Sequence, residues 1–140
     1  MAELQRSDLK QKWQDRFNFF DQYGNPTSKV FEEEMKRRGW RARLRISTNR
    51  IAFFLGPFYF FFLGMWRKGF SLFGVAAAVS LAWGVVASFT DISFDTVRAV
   101  QNGVNFGLCY LSCLTANYAY YCKMVKGENG WNPFNGIKWR

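Results

Sequence analysis

Histidine is absent from this 140-residue chain. General acid–base catalysis most often draws on histidine or on a buried carboxylate pair. Acids are scarce as well, with 10 Asp and Glu against 19 Lys and Arg. Asp91 and Asp95 would lie one helical turn apart, but they fall in a short polar connection, DISFDTVR, and read as solvated surface charge. No Gly-rich phosphate loop and no nucleophile elbow occurs. No enzymatic activity and no cofactor are therefore expected. Cysteine is sparse too. Cys109, Cys113 and Cys122 share one apolar segment, and an odd count without paired spacing is no disulfide framework. Cys109 and Cys113 lie four apart, which suits small packing residues on a helix. With no histidine and no acid on that segment, no metal site is expected. The highly charged first fifty residues are not expected to act as a secretory leader, and no lipidation is expected at either end. Any membrane insertion is expected to use internal segments.

Two chemistries remain. Residues 1–50 carry 12 of the 19 Lys and Arg and 7 of the 10 Asp and Glu. Residues 51–122 carry only Arg67, Lys68, Asp91, Asp95 and Arg98. Averaged together, a basic, soluble-looking third and a long apolar region give a misleadingly neutral mean hydropathy.

In the basic third, Leu9, Trp13, Phe17 and Phe20 recur at helical spacing and predict an amphipathic helix over 3–21. Its polar face is assigned Lys10, Lys12 and Arg16 with Asp8 and Asp15. QYGNPTS reads as a turn. A second helix is predicted over 28–39, capped by Ser28, with Glu32 to Glu34 early, Lys36 to Arg38 late and Gly39 as the C′ residue. In WRARLRISTNR, residues 40–50, apolar and arginine residues alternate. Period two suits a strand, but no partner strand is evident, and an extended segment on a membrane surface fits equally. Thr48 or Asn49 can cap the apolar helix that follows.

The apolar region has three runs. Residues 51–66, IAFFLGPFYFFFLGMW, hold eight aromatics and no charge. Residues 69–90 would make a helix of roughly 33 Å, enough for a hydrocarbon core of roughly 30 Å. Residues 99–122 are longer and more polar, with Gln101, Asn102, Asn105 and Asn117. Lys and Arg in short flanking loops stay cytoplasmic. That rule places the N-terminal region, Arg67-Lys68 and the 123–140 tail inside, and 91–98 outside. An even number of crossings must then precede residue 67. Sixteen residues make only roughly 24 Å of helix, and Gly56-Pro57 offers a bend. Residues 51–66 are therefore expected to be re-entrant or interfacial, with 69–90 and 99–122 as the two spans. Three spans in a locally thinned bilayer is the alternative.

Helices in membranes associate through close packing and polar contacts. Ala76, Ser80, Gly84 and Ser88 form a ladder with spacing four, and Ala99, Gly103 and Gly107 form another. Asn102, Asn105, Cys109 and Ser112 make a polar stripe, read as an interhelical seam or the lining of a pore. Just before the membrane region stand Lys36, Arg37, Arg38, Arg41, Arg43, Arg45 and Arg50, and Arg67-Lys68 follows the aromatic run. Such juxtamembrane clusters bind anionic lipid headgroups. Nucleic acid is the weaker reading, because the cluster abuts the bilayer.

The stretch TNRIAFFLGPFYFFFLGMWRKGF resembles a motif of small bacterial inner-membrane proteins carrying a domain of unknown function. Asn49, Ala52, Phe53, Phe54, Gly56, Pro57, Phe58, Tyr59, Met65, Trp66, Arg67 and Lys68 match it, while Leu55 departs. The resemblance covers about residues 49–90. It implies a bacterial inner-membrane location and brings no known activity.

The sequence thus predicts an all-α membrane protein. A basic, amphipathic cytoplasmic region (1–50) leads into an aromatic re-entrant or interfacial helix and a two-span helical hairpin (together 51–122), then a cytoplasmic tail (123–140). The expected role is a self-associating, non-enzymatic scaffold that shapes the bilayer, partnered by anionic lipids and further copies of itself. The alternatives are a pore lined by the polar face of 99–122, or an accessory subunit that docks on another membrane protein through residues 1–50.

Overall fold

The computed structural model describes residues 9–135, and every regular element among them is a helix. The first, α1, runs Gln11–Tyr23; residues 3–8 of the expected helix lie outside the described residues. The apolar face of α1 does not meet lipid. Trp13, Phe17, Phe19 and Phe20 are buried with Phe31, Met35, Ile46, Tyr118 and Tyr121 in one aromatic core. Phe17 meets Tyr121 edge-on at 5.5 Å, and Trp13 meets Tyr120 at 4.8 Å between ring centres. Burying each such ring contributes roughly 1.5–3 kcal/mol, and tilted or edge-on pairs add to that. The two ends of the sequence thereby share a core. Tyr121 also donates a 2.7 Å hydrogen bond from its hydroxyl to Asp21 Oδ1. Tyr121→Phe is expected to cost about 1 kcal/mol, measurable as a lowered thermal midpoint in detergent.

Helix α2 is Lys29–Arg37, and Ser28 caps it as expected, accepting from the Phe31 amide. Gly39 is not a left-handed C′ residue. Its φ is −61°, and it leads directly into α3, Trp40–Ser47. Period-two alternation thus resolves as a helix, because a helix satisfies its own backbone where no partner strand exists. One residue of α3, Ile46, reaches the core. The exposed C-terminal carbonyls of a helix need donors, and here they come from far away. Arg16 Nε donates to Arg45 O at 2.9 Å, and Asn117 Nδ2 donates to Ile46 O at 2.9 Å and Thr48 O at 3.1 Å. A cation at a helix C-terminus is also favoured by the helix dipole.

The aromatic run is not one straight helix. It forms α4, Arg50–Leu55, and α5, Phe58–Phe62, with Asn49 capping α4 through the Ala52 amide. The bend falls at Gly56-Pro57, where Gly56 has φ of 55°. A second turn at Gly64, φ 68°, leads to α6. The path goes out and returns along the last helix. Asn49 N donates to Cys113 O, Gly56 lies against Cys109, and Leu63 O accepts from Lys123 Nζ. Ala52, Tyr59, Phe60 and Met65 pack there with Leu72, Ala116 and Ala119.

Helix α6 is Trp66–Ser88 and α7 is Phe94–Lys126. Helix α7 outruns the expected 99–122 at both ends. Ser93 caps its start through the Thr96 amide, and Gly127, with φ of 70°, ends it. Its 33 residues make a rod of roughly 50 Å. The second half, from Ser112 on, lies in the two cores, while the first half is largely uncovered. Among the described residues one helix, α6, is long and apolar enough to cross a membrane, and only 6% of its apolar window is buried by the rest of the chain.

Candidate functional site

The molecule divides by what it leaves uncovered. One end is a helical head built from α1–α5, the base of α6 and the second half of α7. From it project the rest of α6 and the first half of α7. These antiparallel arms meet through Gln101 Nε2, which donates to Ser80 Oγ at 3.0 Å. Leu81, Val85, Phe89, Phe94 and Phe106 stand exposed along the arms, Phe89 by 86%. Phe54, Phe58 and Phe62, on the outer face of α4–α5, are exposed too.

The expected packing ladders do not form the seam between the two arms. Of their members, Ser80 reaches across, in the bond to Gln101. Ser88 turns back to the Gly84 carbonyl on its own helix. A Cβ added at Gly84, Gly103 or Gly107 would meet nothing within 4 Å, and Ala76 is half-covered. The polar stripe splits as well. Asn102 and Asn105 are exposed and make no side-chain hydrogen bond among the described residues. Ser112 is buried, and its hydroxyl has no partner there.

The polar centre of the head is a pair of buried amides. Asn49 Nδ2 donates to Asn117 Oδ1 at 3.1 Å and to the Tyr59 hydroxyl at 3.3 Å. Asn117 in turn holds the end of α3. This knot joins α3, α4, α5 and α7 where the basic region meets the aromatic run.

Beside it opens a cavity of about 410 Å³ whose lining includes Lys12, Arg16, Arg41, Arg45 and Arg50 and, among the described residues, no acid. Lys12 and Arg16 share a face of α1, four apart, and Arg41 and Arg45 share a face of α3. Trp40, Leu44 and Ile51 form its apolar wall. Arg16, assigned to the polar face of α1 from sequence, is instead 8% exposed. Its guanidinium lies 4.9 Å over the Trp13 ring. Burial, chiefly, holds the Arg16 guanidinium below the ordinary arginine value; Tyr59 acts against this and the Arg45 charge with it. An arginine embedded among Trp13, Phe17 and Phe20 was the available signal that this residue turns inward.

The remaining basic residues scatter. Lys36 and Arg37 are exposed on α2, and Arg43 lies on the other side of α3 from the cavity, beside Lys36 in a shallow depression. Arg38 pairs with Glu34 at 3.4 Å and stacks on Phe19. Arg67 stacks on Trp66 and Trp131. Lys68, expected at lipid headgroups, is instead 1% exposed and turned into the head. It falls on the same helical face as Leu72, four residues on, and that face of α6 is buried against the head. Cys109, Cys113 and Cys122 are free thiols, and among the described residues no cluster of metal-binding side chains forms.

The chain matches a family described as "Protein of unknown function (DUF2628)" over residues 4–126. It belongs to that family. The resemblance carried by the AFFLGPF stretch therefore holds, and it reaches beyond 49–90 into the basic N-terminal region. Similar proteins include "Uncharacterized protein YigF" of Salmonella typhimurium (strain LT2), 34% identical over 133 residues, 89% of this chain and 91% of the relative. A protein of the same name in Escherichia coli (strain K12) is 31% identical over 128 residues, with the same shares covered. No solved structure matches.

Proposed function

We propose that this protein is a non-enzymatic, self-associating scaffold of the bacterial inner membrane, anchored by a two-span hairpin and seated by its basic head on the anionic cytoplasmic surface. The observation that carries the reading is the hairpin's uncovered face. Asn102 and Asn105 present amides that make no side-chain hydrogen bond among the described residues, and Gly103 and Gly107 form a separate open stripe of the same arm, whose other exposed side chains include Phe94 and Phe106. Polar groups at membrane depth face protein or water, and small residues let a second helix approach closely. A further copy of the chain supplies such a helix. Closing copies into a ring around the same amides would make a pore, and ion flux into vesicles distinguishes that arrangement.

The topology has its own support. The basic N-terminal helices, Arg67, Lys123 and Lys126 all belong to the head, while the 89–93 turn lies at the far tip of the arms. From head to tip, residues 73–88 make roughly 24 Å of helix, which the 89–93 turn extends toward the thickness of a hydrocarbon core. The doubled-back α4–α5 keeps its exposed phenylalanines beside the head, as a segment entering one leaflet requires. Two single-cysteine variants, Asp91→Cys and Arg67→Cys, in a chain whose native cysteines are replaced by alanine, test it. Membrane-impermeant reagent added to intact cells should label position 91 and not position 67. Labelling of both positions, or of 67 alone, contradicts the hairpin.

A further inference from the structure

We infer that the cavity between α1 and α3 is a discrete binding site for one phosphate-bearing anion, supplied by an anionic phospholipid. This goes beyond general attraction of a basic surface to a membrane, and it relies on the anchored reading only for the source of the phosphate. Lys12, Arg16, Arg41, Arg45 and Arg50 line one concavity, with no acid among the described residues of its walls. Like charges gathered in a partly desolvated recess repel one another, and a bound anion removes that cost. Arg16 is committed in advance. Its Nε and Nη2 are held by the carbonyls of Arg45 and Thr48, and Nη1 has no hydrogen-bond partner among the described residues. The buried guanidinium is thus fixed in orientation with donor capacity left, the arrangement that suits phosphate oxygens.

The walls argue for a lipid over free phosphate. Trp40, Leu44 and Ile51 line the same opening as the arginines, and they are 65%, 41% and 45% exposed. An inorganic anion gains nothing from them, whereas a phospholipid places its glycerol and first acyl carbons there. Arg50 and Ile51 are also the last charge and the first residue of the uncharged aromatic run, so the opening adjoins the segment that meets lipid. A volume near 410 Å³ is in the range of small-ligand sites.

The test uses the full chain in phosphatidylcholine nanodiscs carrying a minor share of phosphatidylglycerol, released for native mass measurement. One phosphatidylglycerol retained per chain is expected. Arg45→Gln and Lys12→Gln, whose side chains are exposed and leave the core intact, should weaken retention at least tenfold. Arg16→Gln should do the same if it folds. Lys36→Gln and Arg37→Gln, equal in charge change but outside the cavity, should alter it less than twofold. Equal losses in both sets would show diffuse attraction and overturn the site. Displacement by millimolar inorganic phosphate would overturn the lipid as its source. The protein mass in the same spectra gives the copy number, so failure of this site is read separately from failure of self-association.

Discussion

Asn117→Leu is expected to destabilise the protein by about 3–5 kcal/mol, lowering its thermal midpoint by roughly 10 °C or more. Asn117 is fully buried and serves three partners: Ile46 O, Thr48 O and the Asn49 amide. Leucine fills a similar volume but removes all three bonds, leaving the Ile46 carbonyl without a side-chain donor and the other two partners less than fully satisfied. A buried polar group stripped of its partner costs about 1–3 kcal/mol. The end of α3 would keep Arg16 alone as a side-chain donor, and Asn49, which also caps α4, would keep only the Tyr59 hydroxyl for its Nδ2. Asn102→Leu is the matched control. The same chemical change on the same helix removes no bond among the described residues, so the monomer's midpoint should hold. A shift of under about 2 °C for Asn117→Leu would mean that the amide pair does not organise the head.

The second large effect concerns association. Gly103→Leu combined with Gly107→Leu should leave the fold of one chain intact, because nothing lies within 4 Å of either added Cβ. It should keep a second helix away and raise the dissociation constant between copies at least tenfold, which corresponds to about 1.4 kcal/mol. Asn102→Leu with Asn105→Leu should act in the same direction, with a smaller effect, since interhelical hydrogen bonds in membranes average well under 2 kcal/mol each. Förster transfer between labelled copies in liposomes, diluted with added lipid, measures both. Undiminished transfer in the glycine double variant would place the contact elsewhere.

Local signals were legible and distant ones were not. Ser28 and Asn49 act as caps, the chain bends at Gly56-Pro57, and the apolar run after Arg67 is a long helix, because each depends on residues within one or two turns. The conformation of 40–47 was not legible. Its helix is held at the C-terminus by Arg16 and by Asn117, some 29 and 71 residues away in sequence. The inward turn of Arg16 was open to the same periodicity argument that found the Trp13–Phe17–Phe20 face. Lys12 joins the cavity only because α1 lies alongside α3. The small-residue ladders were visible as patterns. Spacing alone carries no information on whether they face the neighbouring arm or open space.

Self-association is the central claim, and particle mass in a lipid bilayer tests it most directly. The protein carried into native-lipid discs without detergent should give a defined multiple of the 16.4 kDa chain, falling to one copy when Gly103 and Gly107 are both leucine. A single copy in the unaltered protein, at every protein-to-lipid ratio, would contradict the account.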